Sequence, residues 1–472
     1  MTGSKAQYIV SVLQSWLGPA LLAVVVLLGG SSRPDQTSHL ILQALSLFVL
    51  LFYFRPLSRV DWASNRPLML SLFLIGLLWP FVQTLHLPAY IWTLLPKRDL
   101  IVEGWNLLAI EPKASQPISI NSEDTRTAIL GILPPLAIFI GISLGASNYT
   151  ARALLWKIAA LGMLTALIGI FQVLPTGNIN LQLHDARITG ASGLFRNINH
   201  QATFCLMTLP FISALATSYR RNSSTEDLTQ AIKIGIAALF AICIIGVLAA
   251  GSVAGYLLLI PVLAFSFLIY RNRDTVQTGS MPMAVTPALL VIAAILLIAT
   301  SPVLDGLGVT SLDDGPLARA GIWTTSLRII ADQFLLGTGL GTFEAAYRLY
   351  EDADIVTTTF VNHAHNEYLE LVVELGLPGV ILLGLAFAIW IKQFVKIWAE
   401  KSDRIYVTRR AASVAILVVL LHSLVDYPVR APAIAALSAA CLALMTMPSR
   451  RGLHSDAENT GSIDVIRKHV RL

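Results

Sequence analysis

Long apolar runs recur along this chain and constrain its fold more than any other feature. A helix crosses a bilayer core with about 20 predominantly apolar residues. Runs of about that length lie near residues 9–29, 38–54, 68–86, 127–146, 153–174, 200–218, 231–250, 253–270, 285–303, 369–391, 411–427 and 431–447. Charged residues make up only 13% of the chain, about half the share usual in soluble domains. At 472 residues a soluble chain would have length for roughly two or three domains. One all-α, polytopic membrane domain of about twelve transmembrane helices over residues 1–447 is the economical reading. A polar tail, expected to be loose, follows at 448–472.

The first run, Ile9 to Leu28, is too long for a signal-peptide core. Leu28-Gly29-Gly30-Ser31 makes a weak cleavage site, so a retained helix is expected. Cys205, Cys243 and Cys441 all fall inside apolar runs, at spacings that suit neither a metal cluster nor a disulfide framework. Buried, inert thiols are expected.

Twelve spans put both termini on one side, and the cations choose which. With the N-terminus inside, 22 of the 33 Lys and Arg residues fall on cytoplasmic segments. That two-to-one bias predicts an N-in, C-in protein of the bacterial inner membrane. The net charge of +5 is then a property of inner loops rather than a nucleic-acid surface. Three outer segments are longer than turns, at 87–126, 175–199 and 304–368. The last, a large periplasmic loop, carries Trp323, Phe334, Phe343, Tyr347, Tyr350 and Phe360. Within it, Leu317 to Leu336 shows helical spacing at Ile322, Ser326, Ile329, Ile330 and Phe334, predicting an amphipathic helix on the membrane surface or over a cavity.

Ionisable residues concentrate where that loop re-enters the membrane, in Asn362-His363-Ala364-His365-Asn366-Glu367-Tyr368-Leu369-Glu370, followed by Glu374-Leu375-Gly376-Leu377-Pro378-Gly379. Charge at a membrane boundary is costly and needs a reason. An imidazole can take a proton from a hydroxyl nucleophile; equally, His363 and His365 could cap a helix start. A His-x-His metal pair lacks further ligands at usual spacings. A second constellation is arginine on the outer side, against the charge bias: Arg187, Arg196 and Arg319. Guanidinium forks bind phosphate bidentately, and the alternative for these cations is pairing with Asp185, Asp313 or Asp314. The run Gly337-Thr338-Gly339-Leu340-Gly341 lacks dinucleotide-binding spacing and reads as a flexible turn. His422 and Asp426, four apart, are expected on one helix face, shaping the same cavity or satisfying each other.

Together these residues resemble the O-antigen ligase and O-antigen polymerase superfamily. Its signature pairs a His-Asn with a Gly-x-x-Gly tetrad nine residues later. Here His365-Asn366 is followed by Glu367 to Leu375 and then Gly376-Leu377-Pro378-Gly379. Arg319 to Trp323, Leu336 to Phe343 and Tyr347 resemble the family's large periplasmic loop. The run Arg187, Gly193, Phe195, Asn197, Asn199 resembles its second outer segment, with Ile198 where a proline is common. The resemblance covers roughly 180–430.

The resemblance implies cofactor-free, metal-independent, inverting transfer from a polyprenyl-diphosphate-linked glycan to an acceptor hydroxyl in the periplasm. His365 would be the base or acceptor-orienting group, with His363 its rival. Arg187 and Arg319 would hold the donor diphosphate, and Asn366, Glu370 and Asp426 would support them. Three activities share this plan: polymerising repeat units, ligating glycan to a lipid A core, and glycosylating protein. Without a large soluble C-terminal domain, polymerase or ligase is expected. The competing class is a lipid-linked oligosaccharide transporter, which would place its polar site near the bilayer midplane.

Overall fold

The computed structural model describes residues 2–33, 37–57, 66–109, 115–145, 148–174, 190–220, 226–271, 319–352, 354, 360–400 and 404–447. The span expected at 285–303, Arg187 and the tail at 448–472 lie outside the described residues. Helices fall on the other expected spans: Thr2–Leu28, Thr37–Leu57, Arg66–Gln83, Ser122–Gly131 continued by Leu133–Gly145, Asn148–Val173, Ile198–Arg220, Glu226–Ala250, Val253–Arg271, Glu367–Ala399, Arg404–His422 and Pro432–Met445. Among the described residues, seven helices are long and apolar enough to cross a membrane, and three shorter apolar helices accompany them. The only pairing of strands among these residues joins His86–Leu87 to Gln116–Pro117. The chain is an all-α membrane protein.

The Ile198–Arg220 helix is the most deeply buried candidate span. It packs against Asn148–Val173, Glu226–Ala250, Val253–Arg271 and Arg404–His422. It is also the least hydropathic of the candidate spans, and a helix carrying His200, Gln201 and several hydroxyls belongs inside a bundle rather than against lipid. Its hydroxyls are satisfied locally, with Thr203, Thr208 and Thr217 donating to the carbonyls of Asn199, Phe204 and Ser213 at 2.8, 2.8 and 2.9 Å. The outer helices instead expose apolar side chains, such as Ile381, Leu385 and Val395 on Glu367–Ala399, a surface suited to lipid. All three cysteines are buried and unpaired.

Backbone contacts gather several helix ends at one end of the bundle. Gly29 O accepts the Ala433 N–H at 2.9 Å, and Gly30 O accepts the Arg196 N–H at 3.1 Å. The Gln172 side-chain oxygen accepts the Ser192 and Gly193 N–H groups at 2.9 and 2.8 Å. The starts of Ile198–Arg220, Glu367–Ala399 and Pro432–Met445 and the end of Arg404–His422 share that end. Arg271, Lys392, Lys396 and Arg409 stand at the opposite ends of their helices.

Two expectations need correction. The Gly337–Gly341 run is a packed brace and not a loose turn. Thr338 and Gly339 donate to the carbonyls of Val373 and Glu374 at 3.0 and 2.9 Å, and Leu377 donates to Phe334 O at 2.6 Å. The brace occupies a break in Glu367–Ala399, where Gly376 takes φ 63°. A Cβ on Gly376 would lie 2.5 Å from the Gly337 nitrogen, so only glycine lets the two backbones touch. Trp79 Nε1 donates to Leu375 O at 3.0 Å, and Gln83 Nε2 to Glu374 O at 2.9 Å. Carbonyls freed by the break thus find partners. Second, the helix expected over 411–427 ends at His422, and Asp426 sits in the turn beyond it. His422 and Asp426 therefore do not share one helix face.

The expected amphipathic helix spans Arg319–Gln333. It buries Ile322, Ser326 and Ile329, and leaves Phe334 just past its end exposed. With Phe343–Tyr350 it encloses a small apolar core of Ile322, Ile329, Phe343, Tyr347, Val361 and Val373 beside the main bundle.

Candidate functional site

The segment leading into the Glu367–Ala399 helix is pinned from both sides. Trp323 Nε1, on the amphipathic helix, donates to Ala364 O at 2.9 Å. At the helix start, Asn366 is extended at φ −155° and its side chain accepts the Leu369 N–H at 3.0 Å. Asn366 is therefore the cap, which frees both histidines from that role. The Glu367 N–H reaches across to Ser423 O and Asp426 O at 2.9 and 3.2 Å, tying this start to the turn after Arg404–His422.

His365 adopts φ 50°, a left-handed conformation uncommon outside glycine. That turn directs its ring toward Asp426, with Nδ1 3.4 Å from Oδ1, an ion-pair separation without hydrogen-bond alignment. The His365 side chain is 31% exposed, whereas Asp426 is fully buried. Asn197 Nδ2 donates to the other Asp426 oxygen at 3.4 Å. Burial would raise the Asp426 carboxyl, but His365, His200 and His422 hold it below the usual carboxylate range. Asp426 is thus an anion behind the ring. His422 itself bonds through Nδ1 to Thr203 Oγ1 at 2.6 Å, so it and Asp426 do not satisfy each other by a direct hydrogen bond.

His363 forms a second pair. Its Nδ1 lies 2.7 Å from Glu370 Oε1, and Glu370 Oε2 accepts the Ala364 N–H at 2.8 Å. Glu370 also belongs to a cluster that the sequence reading did not assemble. Glu367, Glu370 and Glu374 lie along one face of the helix and are all buried. Arg430 reaches each of them: Nε to Glu367 at 3.0 Å, one terminal nitrogen to Glu370 at 3.4 Å, and both terminal nitrogens to Glu374 at 3.1 and 2.8 Å. Burial alone would weaken the Arg430 cation, and the three carboxylates more than restore it, holding it above its ordinary range. The legible signal was the spacing of the glutamates, three and then four residues apart at the head of an apolar run, which demands a buried cation from elsewhere.

Tyr427 joins the two pairs. The His363 ring stacks on it at 3.9 Å between centroids and 30° between planes. His365 meets it at 5.2 Å and 66°, and His200 at 5.2 Å and 90°. His200 is 1% exposed, and among the described residues neither of its nitrogens has a hydrogen-bond partner. Arg319 is half-buried at the start of the amphipathic helix, one turn before Trp323 and close enough to interact electrostatically with His422. The structure thus brings together His363, His365, Asn366, Glu370 and Asp426, with Arg319 at their margin. Among the described residues, no group of His, Cys, Asp or Glu has the geometry of a metal site.

No curated protein matches the chain. Residues 238–384 match the family model described as O-antigen ligase. That segment contains Arg319, His363, His365 and Glu370 but not Arg187, Asp426, Tyr427 or Arg430. Motif and match agree, and the chain resembles the O-antigen ligase and polymerase superfamily, whose general activity is glycosyl transfer.

Proposed function

We propose that this chain performs inverting, metal-independent glycosyl transfer from a polyprenyl-diphosphate-linked glycan to an acceptor hydroxyl at the periplasmic face of the inner membrane. The observation that carries this reading is the placement of His365, turned by its left-handed backbone against the buried Asp426 carboxylate and open on its other side. With Nδ1–H facing Asp426, Nε2 is available to accept the acceptor's proton. The hydroxyl oxygen then bonds the anomeric carbon as that carbon's bond to the diphosphate breaks. Arg319 and Arg187 hold the departing diphosphate and stabilise its charge, the work a divalent cation does elsewhere.

The membrane arrangement in this reading has twelve spans, with both termini in the cytoplasm. It is supported by the grouping of the histidines at one end of the bundle and of Arg271, Lys392, Lys396 and Arg409 at the other. A site at helix ends also favours an enzyme over a transporter, whose substrate sits near the midplane. The acceptor is a growing glycan or a lipid A core.

Extraction of polyprenyl-linked glycans from a deletion strain tests the reading. Single repeat units alone indicate a polymerase, and long unattached chains a ligase. An unchanged pool contradicts transfer of either kind.

A further inference from the structure

Two carboxylate–imidazole pairs meet at Tyr427, and the proposed transfer uses only one. His363 is the more tightly held. Its Nδ1 is committed to Glu370 at 2.7 Å, and Glu370 is itself fixed by the Ala364 N–H and by Arg430. Such a carboxylate behind an imidazole sets both its tautomer and its ring orientation. The stack on Tyr427 removes the remaining rotational freedom. The side chain is 14% exposed, and among the described residues Nε2 has no partner. A clamped ring with one nitrogen left open is built to meet something from outside the chain.

With Nδ1 held by Glu370, a proton on Nε2 gives the ring a second donor on its open side. The amphipathic helix that starts at Arg319 is bonded through Trp323 to Ala364, the residue between the two histidines. A displacement at a sugar carbon needs one group for the attacking oxygen and another for the leaving oxygen. The two rings lie at 30° and 66° to the same tyrosine and are backed by different carboxylates, Glu370 and Asp426, so the site offers two separately held imidazoles.

We propose that His363 is a donor-contacting residue whose Nε2–H hydrogen-bonds a diphosphate oxygen of the lipid-linked glycan, while His365 serves the acceptor. This rests on the transfer reading above. No proton passes from His363: the diphosphate leaves as its anion, and the acceptor's proton stays on His365. A charge-assisted hydrogen bond of this kind is among the stronger polar contacts.

Binding of undecaprenyl diphosphate to the purified, detergent-solubilised full chain tests the division of labour without any acceptor. His363→Ala should weaken binding about tenfold, which is about 1.4 kcal/mol. His363→Gln, which keeps an N–H near the Nε2 position, should stay within about threefold of the unaltered protein, and His365→Ala should bind normally. Should His363→Ala fail to fold, Glu370→Gln keeps the shape, removes the charge behind the ring, and should weaken binding at least about threefold. Unaltered binding by His363→Ala or by Glu370→Gln overturns the proposal, as does an equal loss in His365→Ala. If the unaltered protein binds no diphosphate lipid, the transfer reading falls as well; if it binds and the His363 and Glu370 variants match it, only this proposal falls.

Discussion

Arg430 forks onto Glu374, its terminal nitrogens 3.1 and 2.8 Å from the two carboxylate oxygens. The same guanidinium reaches Glu367 and Glu370, so one side chain from the turn before Pro432–Met445 ties together the first two turns or so of the motif helix. Glu374 Oε1 also accepts the Phe343 N–H at 3.3 Å, which extends the network to the brace.

Removing that cation leaves three buried carboxylates without compensation. Arg430→Met should cost about 3–5 kcal/mol or prevent folding, while Arg430→Lys, which keeps the charge but loses the fork, should fall between. Fluorescence-detected size exclusion of detergent extracts measures this as loss of the monodisperse peak.

Gly376 and Gly384 offer a paired test within one helix. Gly376→Ala puts a Cβ against the Gly337 backbone at positive φ, and the folded yield should fall sharply. Gly384→Ala meets nothing within 4 Å and should be neutral or stabilising by up to about 1 kcal/mol, the ordinary gain of alanine over glycine in a helix. Thermal melting of the two variants in the same detergent checks both.

How the sequence relates to these features differs from element to element. The helices were legible because hydrocarbon length and apolar run length coincide, and His365, His363 and Asp426 because ionisable residues stand out at a membrane boundary. The Arg319–Gln333 helix was legible from its periodicity. Arg430, Tyr427 and His200 were not, because their partners lie far off in sequence: Arg430 is 56 residues from Glu374, and no local period connects them. The brace was misread because a glycine run looks the same whether it is loose or pressed against another backbone. Likewise the end of the helix at His422 carries no Gly or Pro signal before Pro428.

Tyr427 separates packing from hydrogen bonding at the site. Tyr427→Phe keeps the ring on which His363 stacks and should retain activity within about threefold, whereas Tyr427→Leu removes the platform and should lower it at least about tenfold. Surface-glycan immunoblots at matched expression compare the two.

Asp426→Asn preserves shape but removes the anion facing His365. Transfer should fall about 10²–10⁴-fold, the scale seen when a carboxylate behind a catalytic imidazole becomes an amide. Because the folded Asp426 carboxyl is depressed, its stabilising contribution is complete above about pH 4, the ordinary carboxylate value, and fades only as pH falls below it. Melting temperatures of the unaltered protein at pH 7 and pH 5 should therefore show no loss attributable to this group.

The most direct measurement is surface glycan, together with the lipid-linked donor pool, in a deletion strain expressing His365→Ala at the level of the unaltered protein. Loss of mature glycan with accumulation of lipid-linked donor is the predicted result. Normal glycan from the His365→Ala protein would contradict the account.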